Sequence, residues 1–360
     1  MTKATLTTEE ISAKLSGCLL GMAVGDALGL PREGLTRQRA AKIFGIPPLL
    51  HRLVMQHGMV SDDTEHAIMV AESLLVAGND PSRFAKELAR QLRWWFLCLP
   101  AGVGKATALA IIKLWLGWPP SRSGVASAGN GPAMRAPMIG VALAFQDHSL
   151  TDLVQASTQI THTDPRAEQG ALIIALAAQE GALYGRVRDP ASLLATWRHL
   201  VTDSQLIPAL DLIENHLSRQ SSAQEFADDM GLNRAVSGFI NHTVPVALYT
   251  WLRYPDDYRQ AVEAVIALGG DADTTGAIVG GLMGATLGES AIPAELISGV
   301  AEWPRTITWM RKLCDQLAKS ITTGEKMNPP GYCWPGILPR NIAFLLIVLY
   351  HGFRRLLPPY

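Results

Sequence analysis

The sequence predicts an all-α protein, and three observations carry that prediction. Apolar residues recur at helical spacing in one segment after another. Those segments open on helix-capping signals. No series of alternating β-branched runs joined by hairpin turns interrupts them. The first helix starts where Thr7 and Glu10 form a capping box, each side chain satisfying a free backbone donor of the other residue. Ile11, Leu15, Cys18, Leu19 and Met22 then mark its apolar face. Ala67, Val70, Ala71, Leu74 and Leu75 repeat the pattern. Asp80 followed by Pro81 reads as N-cap and first helical residue, because proline lacks the donor that would be orphaned there, and Phe84, Leu88, Leu92 and Trp95 continue that helix. Further helices are expected from Ser149, with Asp152 in the first turn, over about 167–184, and over about 258–268. Thr161-His162 is expected to open a helix. Residues 202–235 are polar and read as exposed helices and loops. Residues 320–340, rich in proline and glycine, read as a long connection before a docked C-terminal helix after Arg340. No repeat and no composition boundary divides the chain, so residues 1–360 are expected to form one domain with a docked tail at about 320–360.

Composition narrows the classes of function. A chain of 360 residues can bury about 75% of its unfolded surface without staples. A hydrophobic fraction of 48% against 18% charged residues excludes disorder. Lys plus Arg number 31 and Asp plus Glu 32, so there is no chain-wide basic field for nucleic acid or anionic lipid. Cys18, Cys98, Cys314 and Cys333 lie far apart without a CxxC, which argues for free, buried thiols and against a zinc ribbon or thioredoxin site. Glu9 and Glu10 precede any apolar run, unlike a signal peptide. The longest apolar run, Ile342 to Tyr350, is shorter than the roughly 20 residues of a spanning helix. The expectation is a soluble, cytoplasmic protein without nucleic-acid or membrane partners.

The informative residues are acids and glycines at helix ends. Ser61-Asp62-Asp63-Thr64-Glu65 and Gly269-Gly270-Asp271-Ala272-Asp273-Thr274 each place hydroxyls and carboxylates at the start of an apolar helix. Either alone is accounted for by ordinary N-capping. Two together supply oxygen-only donors of the kind that suits hard cations such as Mg²⁺ or Mn²⁺, and the gathered acids would repel one another without them. Gly102-Val103-Gly104 and Ser127-Ala128-Gly129-Asn130-Gly131-Pro132, the latter followed by Arg135, allow a backbone to approach phosphate oxygens closely, although plain turns have the same composition. Glu33, in the loop after the first helix, is a candidate acid or base where a solvated surface glutamate is the ordinary alternative. His162 is a polar contact candidate where a structural hydrogen-bonder is the ordinary one.

In chain order, GDALGLPREG, SDDTEHAIM, PAGVGKAT, SAGNGPAMRAP, THTDPRAEQGA and GGDADTTGAIVGGLMGA resemble the motifs of the ADP-ribosylglycohydrolase family, over about residues 12–290. The founding bacterial member of that family removes ADP-ribose from an arginine of dinitrogenase reductase. The EWPRTITWMRKL segment and the tail from Arg340 also resemble bacterial members. The resemblance implies a compact helical bundle with a two-metal cleft binding two divalent cations, Mg²⁺ or Mn²⁺. It implies Ser61, Asp62 and Asp63 as one ligand set and Asp271, Asp273 and Thr274 as the other, with Ser61 standing where members commonly carry threonine. Catalysis then rests on Glu33, Asp62 and Asp273. ADP-ribose is contacted by Gly102, Gly104, Ser127, Gly129, Asn130, Gly131 and His162, while Ala128 replaces an aromatic residue of relatives. The implied partners are a mono-ADP-ribosylated protein, ADP-ribose and a cognate ADP-ribosyltransferase. The activity implied is hydrolysis of the N-glycosidic bond to arginine. Another linkage, cleavage of the diphosphate, or an immunity protein that blocks an ADP-ribosylating toxin are the competing readings.

Overall fold

The computed structural model describes residues 6–146 and 148–356. Its helices are α1 Thr8–Gly29, α2 Arg37–Phe44, α3 Asp62–Ala77, α4 Pro81–Leu97, α5 Lys105–Trp115, α6 Pro120–Ser123, α7 Gly131–Leu143, α8 Leu150–Gln159 and α9 Pro165–Tyr184. They continue as α10 Pro190–Leu200, α11 Leu206–Ser218, α12 Ala223–Asp229, α13 Ile240–Arg253, α14 Tyr258–Ile266, α15 Ala272–Leu287, α16 Ala294–Ser298, α17 Ile307–Thr323 and α18 Ile337–Arg354. The sheet among the described residues is one antiparallel pair of two-residue strands, β1 Leu35–Thr36 and β2 Gly269–Gly270. The fold is all-α.

At the centre, α1 and α15 run antiparallel with their backbones in contact. A Cβ on Gly17, Gly21, Gly25 or Gly29 would lie 2.3, 2.1, 2.0 or 2.2 Å from the carbonyl oxygen of Gly284, Gly280, Gly276 or Ala272, respectively. Small residues every fourth position form one face of a helix, so the two glycine faces meet without intervening side chains. Every residue of α1 from Ser16 onward is buried, as is nearly all of α15. A second close pair is α7 against α9, where a Cβ on Gly140 would lie 2.1 Å from the Ala175 carbonyl oxygen. The consequence for function is placement. The last turn of α1 and the first turn of α15 end side by side, and α3, α7 and α13 pack around them.

The expected caps form. Glu10 N donates to Thr7 Oγ1 at 3.2 Å and Thr7 N to Glu10 Oε2 at 2.8 Å. Asp80 accepts from Arg83 N at 2.8 Å, and Ser149 from Asp152 N at 3.3 Å. Several expectations are corrected. Thr161-His162 does not open a helix: Asp164 is the N-cap and Pro165 the first residue of α9, and His162 lies in the preceding turn, paired with Val125. Residues 202–235 are less exposed than their polarity suggests, because α11 and α12 bury Leu206, Leu210, Ile213 and Phe226. The connection expected at 320–340 is shorter, since α17 continues to Thr323 and α18 begins at Ile337. Of the thiols only Cys18 and Cys314 are buried; Cys98 is half-buried and Cys333 exposed. Two helical spans, Thr8–Arg32 and Trp334–Arg354, have the length and hydropathy to cross a membrane, which the longest apolar run did not suggest. The first is core. In the second only 28% is buried, and Ile342, Leu346, Leu349, Tyr350 and Phe353 face outward.

Candidate active site

The site forms where α1, α3 and α15 end together. Asp26, one turn before the end of α1, is wholly buried. Its Oδ2 accepts from Ser61 N at 2.9 Å, Thr64 N at 3.2 Å and Thr64 Oγ1 at 2.6 Å. Those bonds fix the start of α3, where Ser61 is the N-cap and Asp62 and Asp63 occupy the first turn. Asp63 Oδ2 in turn accepts from Ser61 Oγ and from Thr274 Oγ1, both at 3.2 Å, joining the two acidic motifs across 211 positions of sequence. Asp271 occupies the N-cap position of α15 without capping it. Its Oδ2 takes a hydrogen bond from Asn130 Nδ2 at 2.5 Å, and Asn130 Nδ2 also donates to Thr243 Oγ1 at 3.0 Å. Two helix N-termini, each with a partial positive charge, therefore converge on the acids.

Electrostatics records the crowding. Burial, then the charges of Asp26, Glu33 and Glu65, holds Asp62 well above the usual carboxylate range. Burial, then Asp62, Asp26 and Asp271, does the same to Asp63. Asp273 is raised by burial and then by Glu33, Asp271, Asp63 and Asp26. Asp26 is pushed up to about 7 by burial, against the hydrogen bonds from Thr64 and Ser61. Glu33 follows the 3₁₀ turn Leu30–Arg32 and reaches solvent, yet its carboxylate is raised by the protein around it and by Asp271, against the charge of Arg355 and a hydrogen bond with Asp273.

Among the described residues no three His, Cys, Asp or Glu side chains close on a single point as a finished ligand cluster. The acids ring the site instead. Their chemistry still fits a hard divalent cation: the donors are all oxygen, and Asp63 Oδ1 and Asp26 Oδ1 are buried without a hydrogen-bond partner.

The glycine segments line one side. Gly102 has φ +81°, and a Cβ there would come within 4.0 Å of Asp62 Oδ1. Gly104 and Gly131 both face Thr107 Oγ1, at 4.0 and 3.8 Å from where their Cβ atoms would be, and Gly131 and Gly129 flank the His162 ring at 3.0 and 3.2 Å. Ser127 Oγ accepts from Gly129 N at 3.3 Å. His162 is bonded to Thr161 Oγ1 at 2.9 Å; burial, then Arg135, lowers it to about 3, so the ring is neutral. The structure thus brings together Ser61, Asp62, Asp63, Asp271, Asp273, Thr274 and Glu33, with Gly102, Gly104, Ser127, Gly129, Asn130, Gly131 and His162 running away from them. Arg135 faces inward: it is wholly buried and ties Gly131 O to Ser157 and Thr161, bracing the turn that carries His162.

Three contributors escaped the sequence reading. Asp26 had a signal, a lone acid inside an apolar helix. Thr107 had none. The segment 236–240 had none either, yet it is clamped between the two halves: Asn130 N donates to Gly238 O at 3.0 Å and Asp271 N to Val236 O at 2.8 Å. A Cβ on Gly238 would lie 3.3 Å from Asp271 Oδ2.

Comparison with known proteins agrees with this arrangement. The family model described as ADP-ribosylglycohydrolase matches residues 7–326. The chain is 28% identical to the ADP-ribosyl-[dinitrogen reductase] glycohydrolase of Rhodospirillum rubrum, over 81% of this chain and 92% of that protein. It is 28% identical to the ADP-ribosylarginine hydrolase Tri1 of Pseudomonas putida, over 87% of this chain and 80% of the other. A solved structure titled ADP-ribosylglycohydrolase-related protein complex superimposes with a TM-score of 0.64 and 26% identity, covering 86% of this chain and 99% of that one. With the helical bundle, the paired acidic motifs and this similarity in agreement, the chain belongs to the ADP-ribosylglycohydrolase family of hydrolases.

Proposed function

We propose that this hydrolase acts on mono-ADP-ribosylated protein, cleaving the bond between the ribose C1 of ADP-ribose and an arginine nitrogen. The observation that carries the reading is the meeting of Asp62-Asp63 with Asp271-Asp273 beside Glu33 and a glycine-lined groove wall. The names of the two similar bacterial enzymes support ADP-ribose as the group removed, and one of them supports arginine as the linkage.

Ser61, Asp62, Asp63, Asp271, Asp273 and Thr274 would hold two Mg²⁺ or Mn²⁺ ions. When bound, such ions neutralise the acids and act as Lewis acids toward substrate hydroxyls and water. The chain's own groups supply the rest. Backbone N–H groups at Gly102, Gly104 and Gly131 meet the diphosphate, where side chains would block the approach, and Gly129, its own N–H held by Ser127 Oγ, lets the chain come close. Neutral His162 supports that wall without adding charge. Glu33, its carboxylate made more basic by its surroundings, takes a proton from the attacking water. The C1–N bond breaks, the water oxygen bonds to C1, and on balance the proton given up by that water is the one the departing guanidine gains.

The test is incubation with arginine- and serine-ADP-ribosylated proteins, with Mg²⁺, Mn²⁺ or chelator, followed by product identification. Metal-dependent release of ADP-ribose from the arginine substrate is expected. Release only from the serine substrate would replace the linkage, and AMP plus ribose phosphate would replace the reaction.

A further inference from the structure

The family match ends at residue 326, and the chain then adds α18. That helix is thinly attached. Arg340, Asn341 and Phe344 are its buried residues. Arg340 pairs with Glu302 at 2.7 Å and donates to Val60 O at 2.6 Å; Asn341 Nδ2 donates to Cys98 O at 2.8 Å; His351 Nε2 meets Leu53 O at 2.7 Å. Just past the helix end, Arg355 turns onto the loop that carries Glu33. Its Nη1 donates to Glu33 O at 2.8 Å and its Nη2 to Pro31 O at 2.5 Å. Arg39 holds the Arg355 carbonyl in turn. On the inner side the same loop is bound to the site itself, through Gly34 N donating to Gly270 O at 2.7 Å, one residue before Asp271.

We infer that Arg355 is a positioning residue for Glu33, delivered by the C-terminal helix as an outer strap over the catalytic loop; this rests on the function proposed above. The geometry is specific. The loop has an inner tether, the Gly270 strand, and an outer one, the guanidinium. A planar fork can hold two carbonyls two residues apart at fixed spacing, which a single ammonium cannot reproduce. Both carbonyls belong to the backbone that aims the Glu33 side chain, so the strap sets where the carboxylate starts without touching substrate. Because α18 buries little of itself, the outer tether is the one that can be released while the bundle stays folded.

The experiment compares the full-length wild type with Arg355→Ala, Arg355→Lys and His351→Ala. The last removes another anchor of the same helix, at Leu53. Hydrogen exchange is read on the peptide containing Gly34, and kcat and KM on the arginine-ADP-ribosylated protein with metal. In Arg355→Ala, exchange at Gly34 is expected to quicken by ~10-fold and kcat to fall by ~10-fold with KM changing by less than ~3-fold, as for a loop that gates catalysis. Arg355→Lys should fall between wild type and alanine, and His351→Ala should leave both readouts near wild type. Wild-type exchange and kcat in Arg355→Ala would overturn the strap. So would an equal loss in His351→Ala, since docking of the helix alone would then explain it. A wild type that releases no ADP-ribose would fail the functional reading, while the exchange measurement would still judge the strap.

Discussion

Asp26 divides its two carboxylate oxygens between structure and site: one accepts three hydrogen bonds from the start of α3, the other is buried without a partner. Its fate with pH follows. In metal-free protein its folded pKa of about 7 lies above the ~3.9 of an unfolded chain. Between those values the folded state keeps a proton that the unfolded chain has lost, so this group's contribution to stability declines as pH rises from about 4 to about 7. His162, lowered to about 3, works the other way: its contribution is lost as pH falls from ~6.5 toward 3. The urea midpoint of Asp26→Asn relative to wild type, measured in chelator, should rise between pH 5.5 and 7.5, and a constant difference would contradict the assignment. Asp62→Ala and Asp271→Ala should each lower activity by at least ~100-fold, about 2.7 kcal/mol in the barrier, and abolish the rise in melting temperature given by Mg²⁺ or Mn²⁺. Wild-type turnover in both would remove the acids from the mechanism. At this scale the acids and hydroxyls of the candidate site were legible, because such residues at helix starts are unusual enough in pairs to be noticed, whereas Glu33 and the glycine segments took their roles from the family resemblance. Asp26 and Thr107 were not assigned, since a side chain that acts by holding another element shows its partner only in three dimensions.

Helices α1 and α15 show why elements are easier to read than their packing. The caps at Thr7, Asp80 and Ser149 are local events and were visible in sequence, and the helix expected over about 167–184 is α9; Thr161-His162 was wrongly read as a helix opening because Asp164-Pro165, just after it, is the stronger start signal. The backbone contact of α1 and α15 was not read at all, although glycines at 17, 21, 25 and 29 and at 276, 280 and 284 carry it. The stretches that touch, α1 from Ser16 onward and nearly all of α15, are buried on every side, so amphipathic spacing gave no clue to the partner. Gly280→Ala puts a Cβ 2.1 Å from the Gly21 carbonyl oxygen, and overpacking of this kind costs about 1–3 kcal/mol. Because the contact also sets the distance between Asp26 and Asp271, activity should fall in the fraction that remains folded. Gly352→Ala, which meets nothing within 4 Å, is the control, and equal melting temperatures for the two variants would show that the helices can part without cost.

At the scale of the molecule, the functional parts come from distant stretches of chain: Asp26 and Glu33 near the start, the 61–63 and 102–131 segments next, Asp271–Thr274 late, and Arg355 last. Composition and motif order were enough to anticipate an all-α fold, but not the C-terminal strap, whose contacts are to backbone carbonyls and carry no residue signature on the receiving side. The order of these parts also has a consequence in time. Gly29 and its partner Ala272 are separated by about 240 residues, which a ribosome adds in roughly 12–50 s at ~5–20 residues per second. Throughout that interval the first helix, almost wholly apolar from Leu15 onward and within a span long enough to enter a bilayer, waits outside the tunnel for a surface that has not been made. A chain released after residue 200 should therefore pellet on centrifugation where the full-length chain stays in the supernatant, and a soluble fragment would mean that α1 finds an interim shelter.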